Sequence, residues 1–383
     1  SRWPAILAGW QPPAEQPALF LMKPIRIDVT SERGIYPVVI GSGALAGLPQ
    51  LLERQRVGPQ RLVVSSTRIW RLHGRRIQRI LPRGDRPVMM AAGEGAKTLA
   101  TVSRLYDACL DRRLDRSGAI VAFGGGVVGD TAGFAAATWL RGVGLVQIPT
   151  TLLAQVDSAI GGKVGVNLPA GKNLVGAFYS PSLVVCDPDV LATLPRREFR
   201  AGLYEVVKYG IIASKRLFDH VDRRLDLIAA HDPTTLTRVV ADCCRIKADV
   251  VMSDERESGL RRILNFGHTI GHALEALTGY RRFLHGEAVA YGMLAAARLS
   301  VLRGALSEDD EARIGALVRG VGRLPSVGDL SARQALEAIG RDKKVVAGRL
   351  HFVLASSIGS TEIVNDVRTR ELVLAMKAIG MRD

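Results

Sequence analysis

The spacing of apolar positions changes character near the middle of the chain. Before about residue 187 they form short strand-like runs. Ile25-Arg26-Ile27-Asp28-Val29 alternates apolar and polar, whereas Tyr36–Ile40, Leu62-Val63-Val64, Pro87–Met90, Ala119-Ile120-Val121-Ala122-Phe123, Val143–Ile148 and Leu183–Cys186 are nearly continuous. Continuous runs suit strands covered on both faces. Helical spacing intervenes over 68–80, over 98–113 and up to about Thr138. Strands alternating with helices predict a parallel sheet with crossover helices. Asp187-Pro188-Asp189 and Leu194-Pro195 then mark a boundary. Beyond it the pattern predicts helices near 198–213, 215–229, 233–253, 268–278, 285–303, 308–319 and 331–340, with short strands near 350–355 and 361–364. The expected organisation is an α/β domain over 22–192 and a mostly helical domain over 193–383. Residues 1–21, rich in proline and tryptophan ahead of Met22-Lys23-Pro24, read as a disordered extension.

Composition narrows the function classes. The 383 residues carry a formal charge of +15. The arginines are scattered, with no run of five like charges and no aromatic-rich basic stretch, so nucleic-acid binding is not expected. An anionic small molecule is the better use for local positive charge. Only ten of the 52 basic residues are lysine, and seven of those (97, 163, 172, 208, 247, 343 and 344) fall in or beside motif-like segments. Lysine there supplies a compact point charge. Cys109, Cys186, Cys243 and Cys244 lack C-x-x-C spacing, which fits a reducing cytoplasm. No apolar run reaches spanning length, so no membrane association is expected.

Two constellations carry chemistry. Gly124-x-Gly126-x-x-Gly129 follows a strand run and precedes a helix, the arrangement that brings backbone and helix N-terminus to a pyrophosphate. The acidic residue that usually follows about twenty positions on is missing, Pro149-Thr150-Thr151 standing there instead, and the loop comes after several strands rather than the first. This is Rossmann-like and not an ordinary Rossmann fingerprint. His268 and His272 are spaced i, i+4 on one helical face, and His285 opens the next helix. Glu205 is an acid inside an apolar helix and needs a cation or a hydrogen-bond partner. One Glu with two His is a plausible zinc set with open positions, although each residue alone reads as an ordinary core polar group. Asp157 to Lys163, Gly171-Lys172-Asn173, and Lys247 with Glu257, Arg261, Arg262 and Asn265 add anion-binding groups.

Taken together, the segments GEGAKTL, GGGVVGDTAGF, RGVGLVQIPTTLLAQVDSAIGGKVGVNLPAGKNLVGAFYSP, EVVKYGI, LNFGHTIGHALE, HGEAVAYGM and DKK resemble the 3-dehydroquinate synthases among the sugar-phosphate cyclases, over about Gly93 to Gly359. The resemblance implies an NAD-binding α/β domain, a helical metal-binding domain and an active site in the cleft between them. It implies conversion of 3-deoxy-D-arabino-heptulosonate 7-phosphate to 3-dehydroquinate and phosphate in the shikimate pathway. The implied route is transient oxidation by NAD, phosphate β-elimination, re-reduction and aldol closure. Zinc, or cobalt in its place, would be held by Glu205, His268 and His285, with His272 handling protons. NAD would meet Glu94, Lys97, Gly125, Gly126, Val127, Val128, Gly129, Asp130, Thr150, Thr151, Lys163, Lys172 and Thr193. Asp157, Lys163, Asn173, Lys208, Lys247, Glu257, Arg261, Asn265 and one of Lys343 and Lys344 would surround metal and substrate. Arg141 resembles the family arginine that reaches a phosphate across a homodimer interface. Where members often carry an acid near the adenosine ribose, this chain has Val64-Ser65-Ser66-Thr67, whose hydroxyls could bond the ribose. A sibling sugar-phosphate cyclase and a metal-dependent polyol dehydrogenase are the competing readings.

Overall fold

The structure, a computed structural model, describes residues 23–383 other than 83, 258, 341–344 and 347–348. They form two compact units: 23–195 with 233–256, and 196–232 with 257–383.

The first unit contains β1 (Ile25–Ser31), β2 (Gly34–Ile40), α1 (Leu48–Arg54), β3 (Arg61–Ser66), α2 (Thr67–Ile77), β4 (Val88–Met90), α3 (Leu99–Asp111), β5 (Ala119–Gly124), α4 (Gly126–Thr138), β6 (Gly144–Pro149), β7 (Lys163–Leu168), β8 (Gly171–Phe178) and β9 (Leu183–Cys186). Seven strands make one sheet in the order β1-β2-β9-β6-β5-β3-β4, parallel except for the β1–β2 edge pair. Its strands bury alternate residues on both faces. Leu62, Val64, Ile120, Ala122 and Leu145 pack with Val102, Leu105 and Ala132 on one side. Val63, Val121, Phe123, Val146 and Ile148 pack with Leu48, Leu52 and Ile77 on the other. Each such fully buried aliphatic side chain contributes about 1.5–3 kcal/mol relative to exposure. The chain runs outward from β3 to β4, then returns to β5 and proceeds the other way to β6 and β9. The strand order therefore reverses at the β3/β5 pair, and the glycine loop lies at the carboxyl end of β5, where open α/β sheets bind ligands.

Residues 163–178, for which the apolar pattern predicts no strand, form the antiparallel β7–β8 hairpin. Its strands approach so closely that a Cβ on Gly165 would lie 2.6 Å from the Val175 carbonyl oxygen, so glycine there permits the pairing. A π-helical turn spans Ala154–Ser158.

The second unit contains α5 (Arg196–Ala213) and α6 (Lys215–Ala229). The next helix, α7 (Pro233–Ser253), returns to the first unit, where the Cys244 thiol lies 3.3 Å from the Gln155 carbonyl oxygen. The second unit resumes with α8 (His268–Leu277), α9 (His285–Leu302), α10 (Glu308–Val321), α11 (Ala332–Gly340), β10 (Val345–Val346), β11 (Arg349–Leu350), β12 (Phe352–Ser357), β13 (Ser360–Val364) and α12 (Thr369–Ala378). Its core includes Ile270, Leu274, Leu299, Leu354 and Met376. Expected and observed helices agree within two or three residues at most ends; α1 and α12 were not expected. Among the described residues no helix is long and apolar enough to cross a membrane, and no disulfide joins the cysteines.

Candidate active site

In the helical unit, α5, α8 and α9 meet through glycine. A Cβ on Gly286 would stand 1.9 Å from the Ala201 carbonyl oxygen, and one on Gly292 would stand 1.8 Å from that of Gly267. These contacts let α9 lie directly against α5 and against the start of α8. Glu205 from α5, His268 from α8 and His285 from α9 consequently converge, their donor atoms all within 4.8 Å of one another. Nε2 of His268 and Nε2 of His285 each lie 3.8 Å from Glu205 Oε1. The Glu205 side chain is wholly buried; Oε2 forms an ion pair with Lys208, one turn along the helix, while Oε1 has no hydrogen-bond donor among the described residues.

A buried carboxylate oxygen without a donor is costly unless a cation meets it. Metal–ligand bonds of about 2.0–2.2 Å allow two donors to lie up to roughly 4 Å apart, so these separations accommodate one ion. The far nitrogens face acceptor oxygens that support ligation through Nε2. Nδ1 of His268 lies 3.2 Å from the Phe266 carbonyl oxygen and Nδ1 of His285 lies 3.3 Å from Glu275 Oε2. If each Nδ1 carries the proton and donates it there, each Nε2 is left as the lone-pair donor facing Glu205. Burial lowers the His285 pKa, but the hydrogen bond to Glu275 and the charges of Glu275 and Glu205 more than offset it, leaving the net shift upward. His272 sits one turn beyond His268, with ring centroids 5.5 Å apart, and 5.9 Å from the His285 ring. Just ahead of α8, Asn265 donates to Glu257 at 2.9 Å and Arg261 is 2% exposed. Glu257 has φ +60°, a strained value for a residue with a side chain.

In the sheet unit, the backbone enters α4 through Gly125 with no side-chain cap, leaving its first N–H groups available to an anion. A Cβ on Gly125 would come to 3.0 Å from Thr151 Cγ2, and one on Gly126 to 3.1 Å from Ser158 Oγ, so side chains would fill the cradle. Val127, Val128, Gly129 and Asp130 continue the first turns of α4. Thr150 is 2% exposed, and its Oγ1 has no hydrogen-bond partner among the described residues. Thr151 Oγ1 caps the following turn by accepting from Ala154 N at 3.2 Å. Lys97, 4% exposed, donates at 2.5 Å to both Asp130 and Asn173. Asn167 donates to Glu94 at 2.8 Å and accepts from the Asn173 N–H at 2.9 Å, tying this cluster to the β7–β8 hairpin. The cradle and the orphaned Thr150 hydroxyl fit a dinucleotide.

Lys247 on α7 donates to the Asp157 carboxylate at 2.5 Å and to its carbonyl at 2.6 Å. Thr193 Oγ1 lies 2.7 Å from Nε2 of His73, a residue the sequence reading did not single out. Lys163 opens β7 and is exposed, and Lys172 lies on β8. Arg141 is exposed at a turn where Leu140 (φ +49°) and Arg141 (φ +64°) are both left-handed. Lys343 and Lys344 lie outside the described residues. Ser65 is wholly buried and donates to the Phe123 carbonyl at 2.7 Å, and Ser66 Oγ caps α2, so both hydroxyls have partners within the fold. Glu275 was missed, although it lies three residues after His272 and seven after His268, on their face of α8.

The 3-dehydroquinate synthase N-terminal family model matches residues 87–201, and the C-terminal model matches 202–345. A 3-dehydroquinate synthase of Synechococcus sp. is 47% identical over 366 residues, covering 93% of this chain and 99% of the relative. Another, from Desulforamulus reducens, is 45% identical over 361 residues with the same coverages. Among solved structures, 2-epi-5-epi-valiolone synthase from Streptomyces hygroscopicus subsp. jinggangensis 5008, with NAD+ and Zn2+ bound, is 29% identical with a TM-score of 0.82, covering 97% of this chain and 99% of that one. A 2-deoxy-scyllo-inosose synthase complexed with carbaglucose-6-phosphate, NAD+ and Co2+ is 27% identical with a TM-score of 0.82, covering 92% and 100%. A protein of Sinorhizobium meliloti 1021 described as a probable glycerol dehydrogenase, 18% identical with a TM-score of 0.60 and covering 88% of this chain and 94% of that one, shares the fold. With both family models matched in succession and relatives this similar over nearly its whole length, the chain belongs to the 3-dehydroquinate synthase family.

Proposed function

We propose that the protein is a metal- and NAD-dependent lyase that converts 3-deoxy-D-arabino-heptulosonate 7-phosphate to 3-dehydroquinate and phosphate. The observation that carries the reading is the 47% identity to a 3-dehydroquinate synthase across 93% of the chain; the geometry of the two clusters supports its chemistry. Glu205, His268 and His285 would hold Zn2+ or Co2+, and the α4 cradle with Lys97, Asp130 and Thr150 would hold NAD+. When bound, the metal would supply polarisation of a substrate hydroxyl, and the nicotinamide a reversible hydride acceptor.

The chain's own residues supply the rest. Lys208 balances the buried Glu205 charge and keeps the carboxylate in place. His272, one turn from His268 and beside the Glu205 triad, would move a proton. Arg261 and Asn265 with Glu257, and Asp157 with Lys247, would hold carboxylate, phosphate and hydroxyl groups of an extended substrate in one rotamer. Lys163, Asn173 and one of Lys343 and Lys344 are proposed for the same task. Arg141, held exposed on a strained turn, is proposed to reach the phosphate of a partner subunit's substrate in a homodimer, and the enzyme to work in the cytoplasm.

A sibling cyclase is the second reading, favoured by the 0.82 TM-scores to valiolone and inosose synthases. The substrate carboxylate separates the two. The protein, loaded with Zn2+ and NAD+, should release phosphate from the seven-carbon keto acid and much more slowly from a hexose phosphate or a heptulose phosphate lacking the carboxylate. Faster release from the uncharged-end sugars would favour the sibling reading.

A further inference from the structure

The triad accounts for Nε2 of each metal-facing histidine and leaves open what fixes the ring of His285. His268 is anchored locally, its Nδ1 lying 3.2 Å from a backbone carbonyl two residues before it. For His285, the first residue of α9 with a side chain 32% exposed, the partner of Nδ1 among the described residues comes from another helix. Glu275 is that group. It is 6% exposed, and its Oε2 lies 3.3 Å from His285 Nδ1. Its donor atoms also fall within 4.8 Å of those of His272.

We propose that Glu275 is a positioning residue of the metal site, its carboxylate accepting the Nδ1–H of His285 and so aiming Nε2 at the point that Nε2 of His268 and Oε1 of Glu205 share. A carboxylate partner selects one tautomer, limits ring rotation and raises the basicity of the ligating nitrogen. The same carboxylate neighbours His272, so it links a ligand to the proposed proton-handling residue. His285 can serve one centre through Nε2 while Nδ1 is occupied by Glu275, which assigns Glu275 to support rather than to ligation.

The inference rests on the metal reading above, and three measurements keep the two apart. Wild-type protein should bind one equivalent of Zn2+, and His268→Ala should lose it; retention by His268→Ala would sink the metal reading itself. Glu275→Gln, close to isosteric, and Glu275→Ala are then titrated with Zn2+ against a chromophoric chelator. About a 10-fold loss is expected for Gln and up to about 100-fold for Ala, the range of outer-shell partners. The Co2+-substituted variants should also show a shifted visible absorption spectrum, which a merely structural role would leave alone. Zn2+ affinity within twofold of wild type in both variants, with an unchanged Co2+ spectrum, would overturn the proposal. So would two Zn2+ equivalents in the wild type with one lost in Glu275→Ala, because Glu275 would then be a ligand.

Discussion

The approach of His285 to Glu205 depends on a missing side chain at Gly286, which gives a sharp prediction for Gly286→Ala. The new Cβ would stand 1.9 Å from the Ala201 carbonyl oxygen and 2.6 Å from the Ala201 carbonyl carbon. Both are backbone atoms inside α5, so neither can swing away. Restoring a carbon–oxygen contact to about 3.3 Å requires α9 to retreat from α5 by roughly 1.4 Å. His285 immediately precedes the substituted position and moves with it. If the retreat lies along the line of approach, its Nε2, 3.8 Å from Glu205 Oε1, would recede to about 5 Å, beyond the roughly 4 Å that one ion spans. Overpacking of this kind costs about 1–3 kcal/mol, leaving the chain folded at a lower melting temperature. Metal affinity should fall by at least about 100-fold, about 2.7 kcal/mol. The assay is Zn2+ competition against a chelator, with circular dichroism to follow melting. Gly47→Ala is the control, since nothing lies within 4 Å of its Cβ and its φ of −87° suits alanine. A Gly286→Ala protein that binds Zn2+ as tightly as wild type would refute the argument that helix contact sets the ligand spacing.

Two further outcomes follow from the sheet unit. Lys247→Met removes the ammonium paired with the Asp157 carboxylate; because that side chain is 27% exposed and can take up water, urea denaturation should show a loss of about 2–3 kcal/mol, less than for a fully buried pair. Adding Asp157→Asn should recover part of it, and an unchanged midpoint in the single variant would contradict the pairing. Burial, helped by the charge of Arg76, holds His73 at about pKa 4, below its ordinary 6.5. The folded state then binds fewer protons than the unfolded state between those values, so stability is complete above pH 6.5 and falls on acidification, by up to about 3 kcal/mol at pH 4. His73→Gln should flatten that part of the melting-temperature profile, and an equally steep profile in the variant would count against it.

Much of this was legible because strong local signals coincided. β5 is a continuous apolar run bounded by glycine, and continuous runs between helical segments describe a sheet covered on both faces. His268 and His272 declare a shared face by spacing alone, and Glu205 stands out as an acid in an apolar helix. What was not legible depends on long-range packing. The β7–β8 pairing was not expected, because Gly165 and Gly176 show their use only in the close approach of the two strands. The return of α7 to the first unit leaves no trace in its amphipathic pattern, and the burial of His73 against Thr193 joins positions 120 residues apart. Glu275 resembles a surface acid in Ala-Leu-Glu-Ala-Leu, and only its register with His268 and His272 could have drawn attention to it. The bonds that Ser65 and Ser66 make within the fold are likewise not written in the sequence.

The central claim is that the protein would release phosphate from its substrate with NAD+ bound and none of it consumed overall. It is tested most directly by incubating the Zn2+-loaded protein with NAD+ and 3-deoxy-D-arabino-heptulosonate 7-phosphate while measuring inorganic phosphate and absorbance at 340 nm together. One phosphate per substrate consumed, with no net rise at 340 nm and complete loss of turnover after metal chelation, is the predicted result. Accumulation of NADH in step with substrate loss, or no phosphate from metal-loaded protein, would contradict it.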